Sequence, residues 1–439
     1  MVGRAARPSL RSPCASFRER VQADLTAPTF PAPAPHPGAG AVSLRRSRPV
    51  RILIAPDKFK GTLSAKDAAE AIAAGVRRAA AEMGTPVELE VCPVADGGEG
   101  TMDALAPALG GSSEMLSVPG PLPGSRVSAP ILRFQTGGRA EALVESARAV
   151  SMSLVPGCQR DPEVTTTLGV GELLRHALGT GAARVIVAVG GSSTVDGGAG
   201  LAAALGARFF DRSGAPFVPT GGTVARIARL EPGAEPLAPI IALCDVSNPL
   251  LGPNGAARVY GPQKGATPQQ VERLEAGLTN LVRVCRERGI PCHPDQPGAG
   301  SAGGIGFGLA TFLGASLVPG APFIFDLLKF DERVARADLV VTGEGRLDSQ
   351  TASGKAGAEV VRRAQKAGKP CFAAVGSTEG STDAIRAALA RAGLRYEGVA
   401  SATEAAGSGE AAMLEPRRWV EEAAWRLLRP RFGDGPRAE

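Results

Sequence analysis

The run Gly190-Gly191-Ser192-Ser193-Thr194-Val195-Asp196-Gly197-Gly198-Ala199-Gly200 constrains this chain more than any other segment. It follows Arg184–Val189 (RVIVAV), which has the length and β-branched content of a buried strand, and opens into Leu201–Leu205, an Ala/Leu segment that reads as a helix. The segment is therefore a strand, a turn and a helix start. Glycines in such a turn let backbone N–H groups point into a concavity without hindrance from Cβ atoms, and the helix start adds partial positive charge. Together these favour anionic oxygens, phosphate above all, and the hydroxyls of Ser192, Ser193 and Thr194 add donors. Asp196 is the one carboxylate among them, which suits a base or a metal ligand beside a phosphate. The alternative reading makes Asp196 a helix N-cap and leaves the glycines only to shape the turn.

A chain of 439 residues can hold two or more domains with substantial cores. Because aromatic residues are only 4%, those cores must be built from Ala, Val, Leu and Ile, as in α/β proteins with parallel sheets. The formal net charge of +6 resides entirely in residues 1–49, where eight Arg face only Glu19 and Asp24. The remainder is balanced and gives no electrostatic case for nucleic acid or membrane partners. Seven scattered cysteines without a CxxC pair indicate reduced, cytoplasmic usage, and no apolar run approaches the roughly 20 residues of a membrane span. Oligomeric state is not legible.

Residues 1–49, rich in Pro, Ala, Arg and Ser and without apolar periodicity, are expected to be a disordered N-terminal extension, and we read them as the product of a misassigned translation start. Patterned sequence begins at Val50. Arg51–Ala55 is a buried strand, Ser64 starts a helix with Asp67 in its first turn, and Val87–Val94 is a second strand closed by Ala95-Asp96-Gly97-Gly98-Glu99-Gly100. From residue 101 the strands shorten and suggest antiparallel or mixed pairing, and Ile240–Cys244 is a strand delivering Asp245 and Asn248. Regular alternation returns later, with strands at 337–342, 370–375 and 398–400 and a closing helix at Glu415–Leu428.

Five strands from the first and last thirds suit a flavodoxin-like parallel sheet of order 2-1-3-4-5, interrupted after its second strand by an inserted mixed α/β domain. The expected boundaries are 50–100 and 309–439 for the flavodoxin-like domain and 101–308 for the insertion. Ligands should then bind at the carboxyl ends of the first and third strands, whose loops carry Asp57, Lys58, Lys60, Glu344, Arg346 and Asp348. A cleft between that edge and the insertion would bring these residues toward Asp196.

Familiar phosphate motifs are mostly absent. Gly354-Lys355 is no Walker A, because Ser349 stands where its leading glycine should be and Ala356 where its hydroxyl should be. Gly298-Ala299-Gly300-Ser301-Ala302-Gly303 spells GxGxxG, but no strand precedes it, which leaves a flexible loop or a close backbone approach to a ligand. The three histidines lie in the tail, mid-helix and in a Pro-rich loop, so they form no triad. What remains is a set of charged strand ends flanked by glycine: Asp57/Lys60, Asp96/Glu99, Asp196, Asp245, Lys264 and Glu344/Arg346/Asp348. Phosphoryl transfer needs this inventory, with carboxylates for Mg²⁺, cations and N–H groups for phosphate, and a carboxylate for the acceptor's proton.

The blocks IAPDKFKGTLSA (54–65), PVADGGEGT (93–101), GGSSTVDGGAG (190–200), CDVSNPLLGPNGA (244–256), GPQKGA (261–266), PGAGSAGGIGFG (297–308) and TGEGRLDSQTASGK (342–355) resemble, in order, those of the bacterial type I glycerate kinase family. The resemblance implies ATP-dependent, Mg²⁺-assisted phosphorylation of D-glycerate to 2-phosphoglycerate by two α/β domains, one inserted into the other. It puts the family's motif lysine on Lys60, its glycine-turn aspartate on Asp196 and its third-strand block on Glu344, Arg346 and Asp348. Two departures stand out: Lys58 replaces a small hydroxyl residue, and Glu145–Val150 replaces a segment usually rich in Met, Ala and Gly.

The expected mechanism has Asp196 as general base. Lys60 and Arg346 hold carboxylate or phosphoryl oxygens, and Asp57, Gly191, Ser192, Ser193, Thr194 and Lys264 add substrate or phosphate contacts. Asp245, Glu344 and Asp348 are the candidates for Mg²⁺. Attack by the other hydroxyl to give 3-phosphoglycerate, and a non-catalytic two-domain sensor of small acids, remain open.

Overall fold

The computed structural model describes residues 48–349, 351 and 356–433. The expected disordered extension therefore lies, apart from Arg48 and Pro49, outside the described residues, as does Gly354-Lys355.

Parallel strands need their apolar faces covered on both sides, and the chain supplies them as short Val/Ile/Leu/Ala runs separated by amphipathic helices. In chain order the strands are β1 (Val50–Ile54), β2 (Val87–Val91), β3 (Ser112–Pro119), β4 (Arg126–Thr136), β5 (Arg139–Glu145), β6 (Arg184–Val189), β7 (Arg208–Phe210) and β8 (Pro216–Phe217). They continue as β9 (Arg229–Glu231), β10 (Ile240–Cys244), β11 (Ser316–Pro319), β12 (Leu339–Thr342), β13 (Arg346–Leu347), β14 (Cys371–Val375), β15 (Ser377–Thr378) and β16 (Gly398–Ser401).

One sheet, wholly parallel, runs β2-β1-β12-β14-β16. The chain leaves β1 for one side of it and re-enters at β12 on the other, so the strand order reverses between these two neighbours. A second sheet of order β11-β10-β6-β5-β4-β3 is parallel from β11 to β5 and antiparallel through β4 and β3. Its strands all fall in sequence between β2 and β12. The expected change of sheet at residue 308 needs correction. Residue 308 sits inside the helix Ser301–Leu313, and β11 beyond it still pairs with β10, so the second sheet's chain extends to Pro319.

Local chemistry accounts for the helix limits. Ser64 caps Ala65–Glu82 by accepting from Asp67 N, and Thr267 with Gln270 closes a capping box at the start of Pro268–Glu287. The sheets are not independent. One apolar cluster runs from Leu53 and Val340 in the first sheet through Ala95 and Met102 to Leu143, Ile186 and Leu243 in the second. That shared core fixes the edges that face each other across a cleft.

Candidate active site

The carboxyl ends of β1, β2, β12, β14 and β16 open on one cavity of about 600 Å³, whose opposite wall comes from the ends of β6 and β10. Asp57, Lys58 and Lys60 follow β1, Asp96 and Glu99 follow β2, and Glu344, Arg346 and Asp348 follow β12. Gly191 and Asp245 come from the second sheet. The cavity thus stands where the strand order reverses, the position at which open α/β sheets bind ligands.

Two glycines permit a close approach of loops from the two sheets. A Cβ on Gly190 would lie 2.8 Å from the Gly98 Cα, so any side chain at Gly190 would push the two loops apart. A Cβ on Gly98, in turn, would meet Asp96 Oδ1 at 3.2 Å, Asp245 Oδ2 at 3.5 Å and Lys58 Nζ at 3.9 Å. Two carboxylates and an ammonium, brought in by both sheets, therefore surround one point. Lys58 Nζ stands 3.7 Å from Asp96 Oδ1. Burial alone would lower the Lys58 pKa, but Asp96, Asp57, Asp245 and Glu145 together raise it, so the charge is held. Water reaches Asp245 from the cavity, yet the surrounding protein and then the like charge of Asp96 push its pKa up to about 6. Beside them, Arg346 Nε lies 3.8 Å from Asp348 Oδ2, and Glu344 is largely buried in the wall.

The glycine turn itself faces inward, where the sequence leads us to expect a site open to substrate. Asp196 is fully buried, and no part of it lines the cavity. Its Oδ2 accepts from Thr167 N at 2.8 Å, Thr167 Oγ1 at 2.8 Å and Gly200 N at 3.2 Å, and its Oδ1 accepts from Gly198 N at 3.0 Å. These donors hold it as a clamp between the turn and the helix Leu168–Gly179 rather than as a base open to substrate. Its pKa is raised by burial, against these hydrogen bonds.

Ser192, Ser193 and Thr194 are buried as well. Ser192 Oγ donates to the Ala302 carbonyl, Ser193 Oγ donates to the Val150 carbonyl, and Thr194 Oγ1 is buried without a hydrogen-bond partner. Lys264, 3% exposed, donates inward to Ser192 Oγ and Thr194 O. Of the residues expected to cradle phosphate around this turn, only Gly191 reaches the cavity. The GxGxxG-like segment makes a close backbone approach, but to the protein itself, since a Cβ on Gly303 would sit 1.8 Å from Thr194 O.

The sequence places Asp96 and Glu99 in the inventory of charged strand ends without assigning them a role and carries no role onto Lys58; all three line the cavity. Next to them, Glu145 accepts from Gly100 N at 2.7 Å and Met102 N at 2.9 Å, capping the helix Thr101–Leu109. Arg148 pairs with Asp103 at 2.6 Å. Glu145 and Arg148 line a neighbouring cavity of about 560 Å³ that shares Lys58, Lys60 and Glu99 with the first.

A cleft of anion-holding cations and paired carboxylates at the reversal point of a parallel sheet defines an α/β enzyme built to handle phosphate. Comparison with known proteins gives the family. A sequence profile of the glycerate kinase family matches residues 52–430. A glycerate kinase of Halalkalibacterium halodurans is 40% identical over 338 residues, 76% of this chain and 87% of that one. A glycerate 2-kinase of Escherichia coli is 40% identical over 333 residues, 75% of this chain and 85% of that one. The crystal structure of a Salmonella typhimurium LT2 protein, provisionally named glycerate kinase 2, superposes with a TM-score of 0.69 at 36% identity, covering 86% of this chain and 98% of that one. The chain belongs to the glycerate kinase family, and with it to the ATP-dependent kinases. Among the described residues no helix is long and apolar enough to cross a membrane.

Proposed function

We propose that this protein transfers the γ-phosphoryl group of ATP to D-glycerate, giving 2-phosphoglycerate and ADP, in the cytoplasm. The observation that carries this reading is the convergence of Lys58, Lys60 and Arg346 with Asp57, Asp96, Asp245 and Glu344 on one cavity formed by both sheets. Lys60 and Arg346 would hold the glycerate carboxylate and the transferring phosphoryl, the guanidinium matching a planar anion with two hydrogen bonds. Lys58 would neutralise charge that builds between them. With Asp196 closed off, the proton of the attacking hydroxyl falls to a carboxylate already at the cavity, among Asp57, Asp96 and Glu99.

The carboxylate pair also fits Mg²⁺. The surrounding protein first and then the like charge of Asp96 raise the pKa of Asp245, a repulsion that a further cation between the two carboxylates would relieve. Mg²⁺ in phosphate-transfer sites takes one or two carboxylates and completes its shell with phosphate oxygens and water. Among the described residues no group of three or more His, Cys, Asp or Glu is placed to hold a metal ion, so Asp245 with Asp96 would anchor it, and Glu344 and Asp348 would lie in reserve across the cavity. Bound there, Mg²⁺ would offset charge on the triphosphate.

For the architecture, we read the five-stranded sheet as a flavodoxin-like domain and the second sheet as a domain inserted into it, spanning residues 101–319. Incubating the protein with D-glycerate, ATP and Mg²⁺ and recording phosphorus NMR tests the function. A 2-phosphoglycerate resonance with equimolar ADP is expected. A 3-phosphoglycerate resonance would overturn the product, and binding of glycerate without ADP release would favour the sensor reading.

A further inference from the structure

The cavity has two ends of unlike chemistry. Its charged residues gather where β1, β2, β10 and β12 stop. The other end is walled by Ala402, Gly409, Ala412, Met413, Pro416 and Val420, contributed by the three helices that follow β16, namely Ala402–Ala406, Gly409–Leu414 and Pro416–Gly433. Ala402 and Val420 belong to the first sheet's core, so this wall is a firm apolar surface and not a loop. Met413 lines the cavity yet is 68% exposed, and a Cβ on Gly409 would meet nothing within 4 Å. Open space beside an uncovered large apolar side chain, continuous with a charged site, is what a ligand with one apolar and one anionic end would complete.

Resting on the kinase reading, we infer that this apolar end seats the adenine ring of ATP, its triphosphate running past Gly345 and Gly376 to the lysines and carboxylates. A purine has flat, weakly hydrated faces and gains by leaving water for aliphatic surface, whereas glycerate carries no apolar part and gains nothing there. The neighbouring cavity, which shares Lys58, Lys60 and Glu99, adds Arg148, Ser151 and Ser153, groups suited to a small hydroxy acid. The two ligands would then meet at the shared residues, with the nucleotide entering from the side of the closing helix. At about 600 Å³ the first cavity is in the range that holds small-molecule cofactors.

The test uses the full-length protein, calorimetric binding of ATP and of inorganic tripolyphosphate without glycerate, and steady-state kinetics. Gly409→Phe puts a ring into the open space at a position outside the left-handed backbone region, and Met413→Asp replaces exposed apolar cover with charge. Each variant is expected to weaken ATP binding and raise KM for ATP by about tenfold, while tripolyphosphate affinity and KM for glycerate stay within about twofold. Unchanged ATP affinity in both variants overturns the seat, as does an equal loss for ATP and tripolyphosphate. A wild-type protein that binds no ATP overturns it too. If wild type binds ATP, Gly409→Phe loses that binding, and no glycerate is turned over, the adenine seat stands and the glycerate reading falls.

Discussion

Lys264 Nζ donates to the Thr194 carbonyl over 2.8 Å, and with a second bond to Ser192 Oγ over 2.9 Å it pins the glycine turn from its buried side. Asp196, at the far end of the same turn, raises the Lys264 pKa, but burial dominates and lowers it to about 7. A cation placed in the interior by the sequence is thus held close to neutrality by its surroundings.

A pH signature follows. Between about pH 7 and the unfolded value of 10.5, the unfolded chain carries a proton at Lys264 that the folded chain does not, so the stability traceable to this residue rises with pH over that window. Thermal unfolding of wild type and Lys264→Met across pH 7–10 should show the wild type gaining on the variant as pH rises. A constant gap between the two curves would mean that Lys264 titrates alike in both states. At pH 7 the variant should lose about 1–3 kcal/mol through the two oxygens it leaves unpaired.

Asp196→Asn should act on stability and not on chemistry. An amide can accept at only one of its two heads, so some of the four donors that now converge on the carboxylate would face an NH₂ group. We expect a loss of about 3 kcal/mol in denaturant unfolding, with kcat per folded molecule within about threefold of wild type. An unchanged unfolding midpoint combined with a hundredfold loss of kcat would restore Asp196 as the base.

Asp245→Asn should do the reverse. Because the surrounding protein and then the like charge of Asp96 hold the Asp245 pKa near 6, above its unfolded value, ionised Asp245 works against the fold at pH 7.5 and neutralising it relieves this. Without Mg²⁺ the variant's Tm should equal or slightly exceed that of wild type. Its calorimetric Mg²⁺ affinity in the presence of ADP should fall, and kcat should drop by about 10²-fold. Intact Mg²⁺ affinity would remove Asp245 from the metal seat.

Lys58→Met removes the cation facing Asp96 at 3.7 Å, with Asp57 and Asp245 adding to its charge environment. A loss of about 10²-fold in kcat/KM is expected, comparable to losing one preorganised charge contact in the transition state. Wild-type kinetics in the variant would confine Lys58 to a structural ion pair.

The parallel sheet was legible because most of its strands end in a punctuated loop, from Pro56 after β1 to Gly343 after β12, and helical periodicity fills the gaps. The charged residues of those loops could be read as strand-end groups for the same reason. The inward turn of Asp196, Ser192–Thr194 and Lys264 could not. A strand, a glycine turn and a helix look the same in one dimension whether the turn faces water or protein. What decides is contact with the segment around Gly303, distant in sequence, which occupies the concavity the turn would otherwise offer to a ligand. The pairing of Lys58 with Asp96 was hidden for a related reason, since nothing local joins the loop after β1 to the loop after β2 except the sheet itself. The helix crossing residue 308 gave no local hint of which sheet it served until β11 paired with β10.

The touch between Gly98 and Gly190 has an evolutionary corollary. Each follows a strand of a different sheet, and a side chain at Gly190 would push the two loops apart where the acidic pair faces the lysine. A single methyl group at Gly190 would therefore disturb this pivot, whatever surface loops the long excursion between β2 and β12 gains or sheds.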